Sequence, residues 1–389
     1  MGHSAKVVHP AKVKVDHHAK MAEAMKQRLK VEELEENIDE LEDVVEDVFP
    51  ILMFTVVIST VILIIFLIRM YMRYSVPNPS KNKIGGKTVL ITGGTSGLGK
   101  ATALELAKRN ARVLITGREK VKVEAVARNI RKKTGNQHVN AMQLDLGNIR
   151  NIREFVEEFN KTEKSLNVLI NNAGYLGPKS ATDDGLERSF AVNYLGHFYL
   201  THLLTEKMKK NAPARIINVV SDAYTKGSID FEDLALNKGY DVYKAYARSK
   251  YAQVVFTLEC HRRLFGGCVW SFAVNPGACN TELWRNYPGL VGNLLRVGSR
   301  IMFKPPEDGC ETIVYCAVAD GLRESSGKLF ANCKVVKIHD KVKDKNVAKK
   351  LWSVSAQLCG FQCDEPLEEE EEVKPEAAKE PSAEDKTPQ

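Results

Sequence analysis

The sequence predicts an α/β protein, with a doubly wound parallel sheet in one domain and a single transmembrane helix ahead of it. Three observations predict it. From residue 87 onward, short apolar runs alternate with amphipathic stretches of helical period. The first of these runs, 87–92, opens into a glycine-rich turn and then a helical segment. Upstream, residues 51–68 form an apolar run with no charge at all.

Composition bounds the answer. A chain of 389 residues with 44% hydrophobic content can fill one large or two ordinary domains, which excludes wholesale disorder and a peptide-sized scaffold. The net charge of +7 hides blocks of opposite sign: +5 on 1–30, −10 on 31–48 and −8 on 364–389, leaving +20 on 49–363. So basic a body favours an anionic membrane surface or a phosphorylated small molecule, and no motif points to nucleic acid as a partner. The eight cysteines, at 260, 268, 279, 310, 316, 333, 359 and 363, include no Cys-x-x-Cys pair. They make neither a zinc nor a disulfide framework, no metal is expected, and a reducing compartment with thiols as small core hydrophobes accounts for them.

Taken in order, residues 1–48 form an N-terminal segment with an acidic helix. Val31, Leu34, Ile38, Leu41, Val45 and Val48 fall three and four apart, on one helical stripe. The stripe is either a short coiled-coil seam for a protein partner or a solvated acidic juxtamembrane helix, and ten acids repel a second copy. Residues 49–70 are the transmembrane helix. Twenty-one uncharged residues, 48–68, suffice to cross a hydrocarbon core of roughly 30 Å, whereas a buried core helix seldom lacks a polar face over such a length. No cleavage site marks it as a signal peptide. Arg69, Arg73, Lys81, Lys83 and Lys87 follow it, and acids precede it, so the body of the chain is expected on the cytosolic side. On that topology the acceptor pattern at Asn160 stays unmodified, although the +5 extreme N-terminus opposes the orientation. A linker, 71–83, leads to the main domain, 84–361, and an acidic tail, 362–389, is expected to be disordered.

Within the main domain the turn after the first strand reads Gly93, Gly94, Thr95, Ser96, Gly97, Leu98, Gly99. Gly93 permits the tight turn, Gly97 lets backbone approach a pyrophosphate, and Gly99 lets the following helix pack on the strand, whose N-terminus favours the anion. This is the phosphate-cradling turn of a Rossmann-type fold. The second strand, 112–116, ends in Gly117 and Arg118 with no acid before Glu119. A carboxylate there would bind the ribose 2′-hydroxyl of NAD; Arg118 instead suits a 2′-phosphate, so NADP(H) is the expected cofactor, the alternative being an ordinary surface arginine.

Further strands are predicted at 139–144, 166–171, 215–221, 268–275 and 328–331. In such sheets sites form at strand carboxyl ends, which brings Asp145, Asn171, Ser221 and Asn275 to one edge. Hydride chemistry also needs an acid–base group, and a tyrosine with a lysine one helical turn on can supply it, the cation lowering the phenol pKa. Tyr-x-x-x-Lys occurs at Tyr175/Lys179, Tyr240/Lys244 and Tyr246/Lys250, but only the last opens a long helical segment.

With these motifs in place, residues 87–360 resemble the short-chain dehydrogenase/reductase family, most of all its membrane-anchored retinol dehydrogenases. TGGTSGLG at 92–99, NNAG at 171–174, Ser221 with YARSK at 246–250, and NPGACNT at 275–281 occur in the family's order, and the run 303–337 is similar as well. The resemblance implies a single catalytic domain in which Tyr246 is the general acid/base. Lys250 would bind the nicotinamide ribose, Ser221 would hold the substrate oxygen, and Asn193 would hold a relay water. It likewise implies that Asp145 and Asn171 lie along the adenine side, that Thr281, after Pro276 and Gly277, binds the carboxamide, and that hydride leaves the pro-S face. One departure stands out: where relatives usually carry two serines at the end of the fifth strand, this chain reads Asn218, Val219, Val220, Ser221, Asp222, which keeps serine at the catalytic place but flanks it with the less usual Val220 and Asp222.

Residues 282–304 occupy the family's substrate lobe. Their apolar positions, among them Leu290, Leu294 and Ile301, form either a mouth against the membrane or a helix covering its own core. The expected function is NADP(H)-dependent interconversion of a lipophilic alcohol and its aldehyde or ketone. Retinal/retinol is favoured by resemblance, with steroids or lipid-derived aldehydes as the alternative substrates, and endoplasmic reticulum is the expected membrane. The rival reading is a membrane-bound scaffold or redox-sensing module that keeps the dinucleotide fold, with 31–48 as its contact surface. An oligomer is compatible with either.

Overall fold

A computed structural model describes residues 10–362, with side chains from residue 20 onward. Residues 1–9 and 363–389, which include nearly all of the acidic tail expected to be disordered, lie outside the described residues. The chain divides into two compact units, Met1–Met70 and Tyr71–Gln389.

The first unit is helix throughout its described length. Helix α1 (Pro10–Arg73) runs for 64 residues through both the acidic stripe and the uncharged run, with Pro50 inside it. The sequence reading divided these into separate segments; the backbone joins them. A window of its apolar part has a mean hydropathy of 3.1 and none of it is buried by protein, so it is not a core helix, and it is long and apolar enough to cross a membrane. The stripe residues from Val31 to Val48 are all exposed, between 51% and 63%.

The second unit is built on an eight-stranded sheet in the order β3-β2-β1-β4-β5-β6-β7-β8. The strands are β1 (Thr88–Ile91), β2 (Arg112–Gly117), β3 (Val139–Gln143), β4 (Val168–Asn171), β5 (Ala214–Val219), β6 (Val269–Asn275), β7 (Leu329–Ala331) and β8 (Lys334–Val336). The first seven pair in parallel, and only β8 is antiparallel, returning through Asn332 and Cys333, both at positive φ. The seven parallel strands lie where the apolar runs predict them. The three-residue β8 holds Val335 and Val336 but is short and exposed throughout.

Helices α2 (Gly97–Lys108), α3 (Lys120–Thr134), α4 (Ile149–Thr162), the single turn α5 (Arg188–Phe190), α6 (Gly196–Lys210), α7 (Val242–Leu264), α8 (Gly289–Met302), α9 (Pro306–Gly309), α10 (Glu311–Val318) and α11 (Lys345–Leu358) complete the unit. Residues on a strand alternate between its two faces. Accordingly Leu90 joins a core layer with Phe198, Tyr194 and Phe256, while Val89 and Ile91 join the opposite layer with Ile115, Phe272 and Ile313. Each fully buried Phe or Leu contributes about 1.5–3 kcal/mol, and this double burial is why the strands read as continuous apolar runs. Cys260, Cys279, Cys310, Cys316, Cys333 and Cys359 are free and buried, as core hydrophobes should be.

The segment expected as a linker, 71–83, is not slack. Its first residues finish α1, and the rest is tied down: Ser75 Oγ donates to Asp308 O at 3.1 Å, Asn78 N to Glu311 Oε2 at 2.9 Å, and Asn82 Nδ2 to Val318 O at 3.0 Å. Arg109 clasps it by donating to Ser80 O and Asn82 O. Polar loop residues hide such long-range pairing from a sequence reading.

Candidate active site

The strand order reverses between β1 and β4, and a cleft of about 470 Å³ opens there at the strand carboxyl ends. Gly93 and Gly97 sit at φ +64° and +49°, a region other residues enter only with strain. A Cβ on Gly93 would lie 2.8 Å from Ala173 Cα, and one on Gly99 would lie 2.3 Å from Gly93 O. Ser96, the N-cap of α2, spends no side-chain bond on the helix, and the first turn holds no acid. The leading amides of α2 are thus left to an anion, and Thr95, Ser96, Gly97, Leu98 and Gly99 all line the cleft. These residues fit a dinucleotide's pyrophosphate.

Arg118 and Asp145 also line the cleft. Arg118 is exposed and forms no ion pair among the described residues, whereas Glu119 and Lys122 stand beside it on the same wall. Asp145 Oδ1 accepts from Gly147 N at 2.9 Å, which fixes the carboxylate in a tight turn. Asn171 differs from expectation. It is fully buried with Nδ2 donating to Asn218 Oδ1 at 2.8 Å and Thr201 Oγ1 at 3.1 Å, and its neighbour Asn172 takes the place on the wall. Alternation along the strand end points Asn171 into the protein. Asn275, expected at the same edge, is likewise absent from this cleft's lining; its Nδ2 donates to Asp222 Oδ1 at 2.7 Å.

The acid–base group comes from α7, which Asp241 caps by accepting from Lys244 N at 2.7 Å. The cap explains the choice among the Tyr-x-x-x-Lys pairs. Tyr240 precedes the helix and donates to Gly177 O, Tyr175 sits in a loop, and only Tyr246 and Lys250 share a helical face. Tyr246 is 8% exposed and hydrogen-bonded to Ser221 at the end of β5. Burial raises its phenol above the ordinary value, and the Ser221 bond opposes that rise. Sequence spacing predicts that Lys250 lowers it. The lysine is itself buried, and loss of solvent pushes its ammonium down to about 7, so near neutrality much of its field on the phenol is lost. Its Nζ lies 5.6 Å from the Tyr246 ring centroid and donates to Val219 O at 2.8 Å and Gln253 Oε1 at 2.7 Å. In its charged form the group has three donors, which leaves one for a ribose hydroxyl.

Asn193 lies in a π-helical turn, Ala191–Leu195, between α5 and α6. Its Oδ1 accepts from Tyr175 N at 2.6 Å, and its Nδ2 donates to Tyr175 O and to Ser249 Oγ, both at 2.9 Å. The side chain therefore holds the loop after β4 from behind and is not on the cleft wall. Pro276, Gly277 and Thr281 do line it, and Thr281 packs on the glycine turn, where a Gly97 Cβ would meet its Cβ at 3.1 Å.

A group missed from sequence couples these parts. His197 Nδ1 donates to Asn193 O at 2.9 Å, so its Nε2 accepts from the Thr92 hydroxyl at 2.8 Å. Thr92 Oγ1 in turn accepts from Asn172 N and Ala173 N. Burial holds the imidazole neutral, its pKa lowered to about 3. The one available signal was its place four residues after Asn193, on the same helix face.

A profile of the short chain dehydrogenases matches residues 87–288. Retinol dehydrogenase 12 of Mus musculus is 44% identical over 72% of this chain and 88% of that relative, and retinol dehydrogenase 13 of Homo sapiens is 43% identical over 73% and 88%. Among solved structures, an uncharacterised protein from Mycobacterium Paratuberculosis matches with a TM-score of 0.59 and 30% identity over 74% of this chain and 99% of that one. A Beutenbergia cavernae structure with NADP at low occupancy matches with a TM-score of 0.52 and 25% identity over 64% and 96%. Glycine turn, buried tyrosine and lysine on one helix, and these likenesses agree: the chain belongs to the short-chain dehydrogenases, oxidoreductases that use a nicotinamide dinucleotide, and within them it groups with the retinol dehydrogenases.

Proposed function

We propose that this protein is an NADP(H)-dependent oxidoreductase of the CH–OH group that interconverts a lipophilic alcohol and its aldehyde or ketone, retinol and retinal foremost. The observation that carries it is the convergence of Tyr246, Ser221 and Lys250 beside the glycine turn in one cleft. When bound, the nicotinamide supplies the hydride for reduction or accepts it in oxidation. Ser221 Oγ holds the substrate oxygen against the Tyr246 hydroxyl. During reduction that hydroxyl gives its proton to the oxygen as the carbonyl carbon gains hydride; in oxidation the phenolate takes the proton back. Lys250 keeps one donor for the ribose. Arg118, on the cleft wall and in no ion pair among the described residues, supports the 2′-phosphate of NADP(H). Because cells hold NADP mostly reduced, reduction is the working direction.

Leu283, Trp284 and Phe303 give the cleft apolar walls suited to a lipophilic substrate. Leu290, Leu294 and Ile301 of α8 are 74%, 63% and 53% exposed, which favours the reading as a membrane-facing mouth over that of a helix covering its own core. The charge flanking the apolar run supports a cytosolic catalytic unit, with endoplasmic reticulum as the membrane. Asn160 is exposed on α4, so glycosidase-sensitive mass there would put the unit in the lumen.

The test is oxidation of NADPH and NADH by detergent-solubilised protein with all-trans-retinal and a panel of medium and long aldehydes. The expected result is NADPH-dependent retinal turnover that Tyr246→Phe abolishes. Intact protein that binds NADPH and reduces nothing on the panel would instead favour the scaffold or redox-sensing reading.

A further inference from the structure

A second cavity, of about 800 Å³, lies beside the first within the same unit, across the loop that carries Gly277 and Ala278, which line both. Its walls are apolar, basic and acidic, the acids being Asp222 and Asp340. Tyr71, Met72, Leu329, Val336 and Ile338 are apolar or aromatic, while Lys304, Lys337 and His339 bring basic groups.

Lys304 is the unusual member. The residue is 6% exposed, yet its ammonium forms no ion pair or hydrogen bond among the described residues. Its backbone is committed elsewhere, donating to Ala278 O and accepting from Asn280 N. The side chain lies along Gly277, where a Cβ would meet Nζ at 2.8 Å, so glycine makes the room that lets the cation reach the cavity. The ammonium opens onto the cavity, where an entering anion would pair with it directly. The carboxylates present are already engaged: Asp222 accepts from Asn275, and Asp340 pairs with Lys343 at 2.8 Å. The exposed Lys337 and His339 stand at the opening, on the strand end that His339 N ties to Tyr224 Oη at 3.1 Å.

The apolar walls select among anions. A bare phosphate has no use for Tyr71, Met72, Val336 and Ile338, whereas an amphiphile does. Tyr71 and Met72 follow closely in sequence on Ile68, where the uncharged run ends, so on a membrane-spanning reading of that run these two residues come at head-group depth. We propose that this cavity binds the phosphate-bearing head group of an anionic membrane lipid, with Lys304 as its counter-charge and the start of its acyl chains against Tyr71 and Met72. The site is separate from the substrate cleft, and its occupancy does not depend on the oxidoreductase activity proposed above.

The probes are dioctanoyl phosphatidic acid, dioctanoyl phosphatidylcholine and inorganic phosphate, added to the full chain in a non-ionic detergent while thermal unfolding is followed. Phosphatidic acid should raise the unfolding temperature saturably, and phosphatidylcholine at the same concentration should not. Lys304→Gln should weaken the phosphatidic acid response at least about tenfold, the usual scale for loss of a charged partner, and Lys304→Arg should keep it. If Lys304→Gln does not fold, the exposed pair Lys337→Gln with His339→Gln carries the test, and a weaker response is expected from it. An equal response to inorganic phosphate would make this a free-phosphate site and overturn the lipid assignment. No response to phosphatidic acid, or one that neither set of substitutions changes, would overturn the site altogether.

Discussion

Asn275 Nδ2 donates to Asp222 Oδ1 at 2.7 Å, joining the end of β6 to the residue after Ser221, and Asn275 Oδ1 accepts from Gly277 N at 3.0 Å. Asp222 thus anchors the Pro276–Gly277 loop through Asn275. Replacing Asp222 with alanine leaves the amide without its charged acceptor and loosens that loop. The expected outcome is roughly tenfold weaker NADPH binding, the scale of a hydrogen bond to a charged group, measured by cofactor fluorescence titration, with a smaller change in kcat.

Tyr246→Phe removes one oxygen from a buried ring and opens no large cavity. Turnover should fall by roughly a thousandfold, the range for loss of a general acid–base group, while cofactor affinity stays close to that of the parent. Parallel measurements of turnover and cofactor binding separate the two effects, and an active variant would remove Tyr246 from the chemistry.

Arg118 is exposed, so water already screens it, and its influence should be confined to the 2′-phosphate. Arg118→Ala is expected to raise the KM for NADPH about tenfold, the low end for a charge-assisted contact, and to leave the KM for NADH unchanged. Equal losses with both cofactors would point to Glu119 or Lys122 as the discriminating wall.

His197 makes stability depend on pH. Its folded pKa of about 3 is below the ordinary 6.5, so the unfolded chain binds the proton more tightly and acid favours unfolding. The contribution is present in full above the unfolded value and is lost as pH falls from 6.5 towards 3. Between pH 7 and pH 5 this one group should cost about 2 kcal/mol. Urea unfolding at both pH values should show a smaller loss in His197→Gln than in the parent.

Arg248 and Glu187 form a buried pair at 3.0 Å between α7 and the turn leading to Asn193, with both side chains almost fully enclosed. Glu187 also accepts from Ser189 N and Phe190 N, capping α5. Glu187→Gln leaves the guanidinium without its counter-charge and should destabilise the protein by about 3–5 kcal/mol. A thermal melt indistinguishable from the parent's would deny the pair that role.

Much of this was legible in the sequence because it is written in local signals. A parallel strand covered on both faces must be apolar throughout, so β1, β2, β4, β5 and β6 could be read directly, whereas β3 at the sheet edge carries Asn140 and Gln143 and is only partly buried. The glycine turn was legible because positive φ and close backbone approach leave little choice of residue at Gly93, Gly97 and Gly99. Tyr246 and Lys250 could be separated from the two other pairs because only that pair opens a long helical segment.

What the sequence determined by itself, then, was the order of strands and helices, the apolar helix, and the residues whose backbone or spacing is dictated by a phosphate or a proton transfer. Tertiary structure decided which way the polar groups face. It turned Asn171 inward to Asn218 and put Asn172 on the wall, closed Asn193 onto Tyr175, linked His197 to Thr92, and opened the Lys304 ammonium onto a second cavity. The physical reason is that hydrophobic periodicity is a property of neighbours along the chain, whereas a buried polar atom is satisfied by whatever donor or acceptor the fold carries to it, often from many residues away.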